Sequence, residues 1–298
     1  MGKLNKELEQ LRKLTIIGLF ADDDLMDLFV LKGGNALELA YKLHSRASMD
    51  IDVSLAQDFE DLGWSVEEVE TKIHDSMVRT FKDEQYHVFD FKMSHRPNKR
   101  LQAIDKRWGG YAVEFKVISL TNADELNMDL DKMRKSSIAV AGSKKVLKID
   151  ISKYEFVEAS EETEFEDYVI KVYTPRMIVF EKIRAICQQM PEYQAIMKSS
   201  ISPRPRDFYD IYMVITELDP GLDITSQENI EMVRNFFEIK KVPLDLLKKI
   251  QEPSVEAFHA ASFSAVEDTV KDKEALQPFA FYYQYVVDLI SPLHEKSI

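Results

Sequence analysis

The chain has 298 residues, 45% of them apolar and 31% charged, and its 39 Lys+Arg against 52 Asp+Glu give a formal net charge of −13. That is a core-forming composition, long enough for one large or two ordinary domains. Its acidity argues against non-specific coating of nucleic acid or anionic membrane, which needs clustered Lys and Arg. The single cysteine, Cys187, excludes an intrachain disulfide framework and a Cys-rich zinc site. No signal-peptide pattern opens the chain and no run of about eighteen apolar residues interrupts it, so the expected location is the cytoplasm, with no membrane partner.

In chain order, residues 4–30 read as one or two helices, with Leu4, Leu8, Leu11 and Leu14 near helical spacing before the turn Asp22-Asp23-Asp24. Leu31-Lys32-Gly33-Gly34-Asn35 follows, then a helical run from Ala36 to Leu43. Asp50-Ile51-Asp52-Val53-Ser54-Leu55 alternates as a half-buried strand, which sends Ile51, Val53 and Leu55 to the core and Asp50 and Asp52 to the opposite face. An acidic helix is expected at 65–82 and strands at 86–94 and 111–120. A strand at 146–151 repeats the pattern, with Leu147, Ile149 and Ile151 on one face and Asp150 on the other. The acidic stretch 158–167 reads as a solvated loop and 168–173 as a last short strand. From Thr174-Pro175 onward the chain reads as helical, with breaks near 191–204, 219–224 and 252–253. This divides the chain near residue 170.

Two carboxylates on one strand face, with a third from another strand, suit hard divalent cations bound through oxygen. Asp50, Asp52 and Asp150 are the expected ligands for two Mg2+ ions, and Glu114 is the rival to Asp150. In a two-metal site one ion activates the attacking oxygen while the other neutralises departing pyrophosphate. The Gly33-Gly34-Asn35 turn fits the same scheme, because glycines let backbone N–H groups approach a triphosphate and the next helix offers its positive end. The six histidines have no ligand spacing. Trp64 and Trp108 read as packing residues, Trp108 also being a candidate for stacking a base beside Arg107 and Gly109-Gly110.

Lys32-Gly33-Gly34-Asn35 followed by Arg46-Ala47-Ser48-Met49-Asp50-Ile51-Asp52 resembles the glycine turn and Asp-x-Asp strand of DNA polymerase β-like nucleotidyltransferases, and more narrowly the AbiEii-type nucleotidyltransferase toxins. Glu181-Lys182-Ile183-Arg184-Ala185 and Pro205-Arg206-Asp207-Phe208-Tyr209-Asp210 resemble that family's lysine helix and Arg-Asp-x-x-Asp helix, in the expected order. A glycosyltransferase also uses Asp-x-Asp with a metal, but accounts for neither the glycine turn nor the Arg-Asp-x-x-Asp helix. Asn35 stands where the family has a hydroxyl.

The resemblance implies an α+β fold, a nucleotidyltransferase-type mixed sheet with flanking helices in residues 1–170 and a helical domain in 171–298 that contributes to the site. It implies transfer of a nucleoside monophosphate from an NTP to an RNA acceptor, a tRNA 3′ end, by the toxin of a toxin–antitoxin or phage-abortive-infection system with a cognate antitoxin. The alternative is a catalytically inactive nucleotide- or RNA-binding member with a regulatory role. Asp50, Asp52, Asp150, Lys182 and Asp207 are the implied catalytic residues. Lys32, Gly33, Gly34, Asn35, Arg46, Ser48 and Asp210 are the implied nucleotide-binding residues, with Asp210 alternatively orienting Lys182 or an arginine. Two basic segments flank these strands, Lys92, Arg96, Lys99, Arg100, Lys106 and Arg107 in one and Lys132, Arg134, Lys135, Lys144, Lys145 and Lys148 in the other. They are candidates for a local groove for an RNA end inside an acidic protein.

Overall fold

The alternating segments join into one seven-stranded sheet in the order β3-β4-β5-β2-β1-β7-β6. The computed structural model describes residues 3–43, 50–97, 106–140, 142–197 and 201–295. The strands are β1 (Val30–Lys32), β2 (Ile51–Ser54), β3 (Tyr86–Arg96), β4 (Gly110–Ser119), β5 (Leu147–Ser152), β6 (Glu161–Phe165) and β7 (Tyr168–Val172). β2 runs parallel to β5 and antiparallel to β1, while β1 runs parallel to β7, so the sheet is mixed. Ile51, Val53, Ile149 and Ile151 are buried on its core side, as their alternation requires.

Helices α1 (Lys3–Phe20) and α3 (Val66–Asp83) pack on each other, α1 also touching β7 and α3 touching β3. Ser65 and Glu68 start α3 with a reciprocal capping box. Short helices α4 (Leu120–Glu125) and α5 (Leu130–Ser136) follow β4. The glycine turn is itself one helical turn, α2 (Gly33–Asn35), which continues as a wider π-type turn over Ala36–Ala40.

The C-terminal helices form a cluster. α6 (Pro175–Cys187) packs on α8 (Pro205–Glu217) and α9 (Gln227–Ile239), and α12 (Phe279–Ile290) packs on α8. Thr174 caps α6 by accepting from the Met177 N–H at 3.4 Å, and Pro175 occupies the first turn, where its missing N–H costs nothing. α7 (Pro191–Met197), α10 (Pro253–Ala260) and α11 (Ser264–Glu267) complete the cluster.

Three expectations are corrected. The helix expected over residues 4–30 ends at Phe20, and Val30 opens strand β1, buried throughout and therefore without an alternation to read. The acidic stretch is not all loop. Residues 161–165 form the edge strand β6, paired with β7 through the turn Glu166-Asp167, where both φ angles are positive. Such a turn matches the twist of a hairpin, and the outward acids of β6 belong to an exposed edge. Residues 191–197 are helix α7, because Pro191 starts a helix there instead of breaking one.

Candidate active site

Strand pairing brings distant carboxylates together. Asp52 on β2 lies in register with Asp150 on β5 across the parallel pair, and with Lys32 on β1 across the antiparallel pair. In-register neighbours project from the same face, so both carboxylates enter one cleft of about 810 Å³. Asp50, exposed just before β2, lines it too, as do Gly33, Gly34, Lys182 and Asp207. Glu114 does not line the cleft; it faces Lys148 across β4 and β5 and pairs with Lys92 at 2.7 Å.

Gly33 has φ of +66°, and a Cβ there would stand 3.0 Å from Asp52 Oδ2. The turn therefore needs glycine both for its left-handed backbone and for its close approach to the carboxylate. Asn35 is fully buried, and its Nδ2 donates to the Asp50 carbonyl at 2.6 Å. It ties the glycine turn to the start of β2, and it does not line the cleft. Arg46 and Ser48 lie outside the described residues.

Burial pushes the Asp52 carboxyl up to about 6; Lys32 opposes the shift, while Asp150, Glu181 and Asp50 add to it. This concentration of negative charge is what a divalent cation would relieve, and three carboxylates are the hard oxygen donors Mg2+ prefers. Among the described residues no three Asp, Glu, His or Cys side chains already converge in a metal-holding arrangement. The Asp150 oxygens are paired with Arg96 and Lys148. The donor set fits a divalent ion once Asp150 exchanges one of these partners.

The opposite wall comes from the helical cluster. Lys182 on α6 is buried, with its ammonium 3.0 Å from Asp207 Oδ1 and 2.8 Å from Asp210 Oδ2, both on α8. Arg204 pairs with the other Asp207 oxygen. Burial would raise the Asp207 carboxyl, but Arg204 and Lys182 outweigh it and hold the group below its ordinary value.

A second charged group at the cleft floor was not legible in the sequence. Glu155 is only 4% exposed and gathers Lys240 at 3.2 Å, Arg184 at 3.4 Å and Lys32 at 3.6 Å. Burial alone would raise the Glu155 carboxyl, yet Arg184, Lys240 and Lys32 hold it down to about 2. Lys240 is pushed down to about 8 by its own burial, against the attraction of Glu155. It also donates to the carbonyls of Lys153 at 2.8 Å and Arg107 at 3.2 Å. These four side chains come from β1, the loop after β5, α6 and the end of α9, and no spacing joins them in sequence. Trp108 lines the cleft and donates to the Tyr193 hydroxyl at 2.9 Å, and that hydroxyl donates to the Lys240 carbonyl at 2.7 Å.

Several residues of the two basic segments are paired with acids. Lys106 pairs with Asp61, Lys132 with Asp129, and Arg134 with Asp90 and Asp131. Lys99 and Arg100 lie outside the described residues.

The sequence matches the family model "Nucleotidyl transferase AbiEii toxin, Type IV TA system" over residues 17–285. The chain belongs to the AbiEii nucleotidyltransferase toxin family. No curated protein matches it in sequence. Its fold is similar to that of the MenT4 nucleotidyltransferase toxin of Mycobacterium tuberculosis H37Rv, with 11% identity, 97% of this chain and 86% of that one covered, and a TM-score of 0.51. It is likewise similar to JHP933 of Helicobacter pylori, with 14% identity, 100% and 98% covered, and a TM-score of 0.50. Family membership makes nucleotidyltransferase toxin activity the general function of this chain. Among the described residues no helix is long and apolar enough to cross a membrane.

Proposed function

We propose that this AbiEii-family chain transfers a nucleoside monophosphate from an NTP to the 3′ end of an RNA, a tRNA acceptor end, and releases pyrophosphate. The observation that carries the reading is the in-register pairing of Asp52 with Asp150, in the same cleft as the Gly33-Gly34 turn. Asp50, Asp52 and Asp150 would hold two Mg2+ ions, which supply charge neutralisation at the attacking oxygen and at the departing pyrophosphate. Gly33 and Gly34 offer backbone N–H groups to the β- and γ-phosphates, with Lys32 beside them.

Lys182 supplies a cation on the facing wall, held in place by Asp210, while Asp207 and Arg204 form the wall nearest the acceptor. Arg46 and Ser48 belong to the phosphate-binding segment by their place in the motif. Catalysis is then positioning and electrostatics, because phosphoryl-type transfer asks little covalent chemistry of the protein. A tRNA whose 3′ end is extended can no longer be charged, which accounts for toxicity and for the need of a cognate antitoxin.

The test is incubation of the purified chain with Mg2+, total tRNA and each α-labelled NTP in turn. We expect label in tRNA with at least one NTP, and none with Asp52→Ala at equal folded concentration. Retained labelling by Asp52→Ala would remove the carboxylate assignment, and no labelled RNA with any NTP would remove the transfer reading.

A further inference from the structure

Arg96 reaches Asp150 across an intervening strand. It ends β3, and β4 separates β3 from β5. In register, Arg96 faces Gly110, which faces Ser152, and Ala112 faces Asp150. The guanidinium therefore crosses β4 where that strand carries its two smallest side chains. A strand spacing of about 4.8 Å on each side sets the length of that crossing, which an extended arginine spans. At Gly110 a Cβ would meet the Ile151 backbone carbonyl at 1.8 Å, so only glycine fits at that position.

The two cations on Asp150 are not equivalent. Lys148 sits on β5 itself with a side chain 21% exposed, whereas the Arg96 side chain is 55% exposed and lines the cleft. A carboxylate oxygen engaged by a guanidinium is not available to a metal ion, and a dication brought beside that guanidinium is repelled by it. A triphosphate offers the same guanidinium several anionic oxygens and bidentate geometry.

We propose that Arg96 is a latch on the metal site: it holds Asp150 until an NTP arrives, then transfers to the phosphates and frees Asp150 for the metal. Arg96 is thus a positioning residue that couples metal loading to nucleotide binding, and the inference rests on the metal and nucleotide reading above. The coupling is reciprocal, so nucleotide tightens metal binding by the same factor as metal tightens nucleotide binding. Premature metal loading is opposed, and Arg96 ends on the side of the triphosphate where charge must be balanced.

The measurement is Mn2+ binding to the purified full chain, read by the loss of the free-ion EPR signal, with and without a non-hydrolysable α,β-methylene NTP. Removing the competing pair in Arg96→Gln should tighten Mn2+ binding about fivefold without nucleotide, as expected for one partly exposed ion pair. The further gain from the nucleotide analogue should shrink in that variant. In an Asp150→Asn background, Arg96→Gln should produce no further gain.

Mn2+ affinities of wild type and Arg96→Gln within roughly twofold of each other would overturn the latch while leaving the metal site standing. The same gain in the Asp150→Asn background would also overturn it, since that result signifies a general field effect. Failure of the wild type to bind Mn2+ with or without the analogue would overturn both the latch and the metal reading.

Discussion

Replacing Glu155 by glutamine removes the anion that Lys32, Arg184 and Lys240 share on the cleft floor, leaving Arg184 with Glu181 at 2.8 Å. The side chain keeps its shape and loses its charge. The depression of the Glu155 carboxyl from 4.5 to about 2 corresponds to about 3 kcal/mol of folding stability at neutral pH. Breaking a buried ion cluster by removing one partner costs about 3–5 kcal/mol, which agrees. Because the folded-state value is depressed, this stability is fully present above the unfolded value of 4.5 and is lost as pH falls toward about 2.

Glu155→Gln should therefore unfold at markedly lower urea, and its stability should depend less on pH in that acid window. Its alkaline behaviour should change in the opposite sense. Lys240 titrates near 8 when folded and near 10.5 when unfolded, so stability gains as pH rises through that range. Without Glu155 the lysine gives up its proton still more readily, and the gain should begin nearer neutrality. The assay is urea unfolding followed by fluorescence of Trp64 and Trp108, from about pH 3 to about pH 10. A neutral-pH cost below about 1 kcal/mol, with an unchanged acid slope, would refute the assignment of Glu155 as the counter-ion of this floor.

Asp52→Asn should lose nucleotide transfer yet stabilise the protein by roughly 1–3 kcal/mol at pH 7, since burial with like charges raises the Asp52 carboxyl to about 6. That gain should largely vanish near pH 4, where the carboxyl of the wild type is protonated in the folded state, and paired thermal melts at the two pH values check it. Gly33→Ala should cost about 1–2 kcal/mol for placing a side chain at φ of +66° and should depress activity through its 3.0 Å approach to Asp52, measured by melting and RNA labelling together. Lys182→Met should cost about 3 kcal/mol or more in urea unfolding, because Asp210 is fully buried beside that ammonium. Lys182 and Asp207 are in direct contact, so the double variant Lys182→Met/Asp207→Asn should cost less than the sum of the two single changes.

The alternation around Asp52 and Asp150 could be read directly, because a strand's side chains point to opposite faces with a period of two and each pattern lies within a few residues. The same holds for the helix start at Thr174-Pro175 and the capped α3. β1 escaped because a strand of three buried residues has no polar face, and β6 because an exposed edge strand carries the composition of a loop.

The sequence by itself determined the chemical inventory: two carboxylates on one strand face, a glycine turn before them, a lysine helix and an Arg-Asp-x-x-Asp helix, in an order that resembles one family. Tertiary structure decided which of these meet. Only the parallel pairing of β2 with β5 puts Asp150, and not Glu114, beside Asp52. Only the packing of α6 on α8 sets Lys182 between Asp207 and Asp210. The Glu155 floor and the reach of Arg96 across Gly110 and Ala112 depend on strands and helices far apart in the chain. Local spacing encodes which face a side chain takes, whereas charge pairing depends on distance in space, and that is set by the sheet order and helix packing of the whole chain.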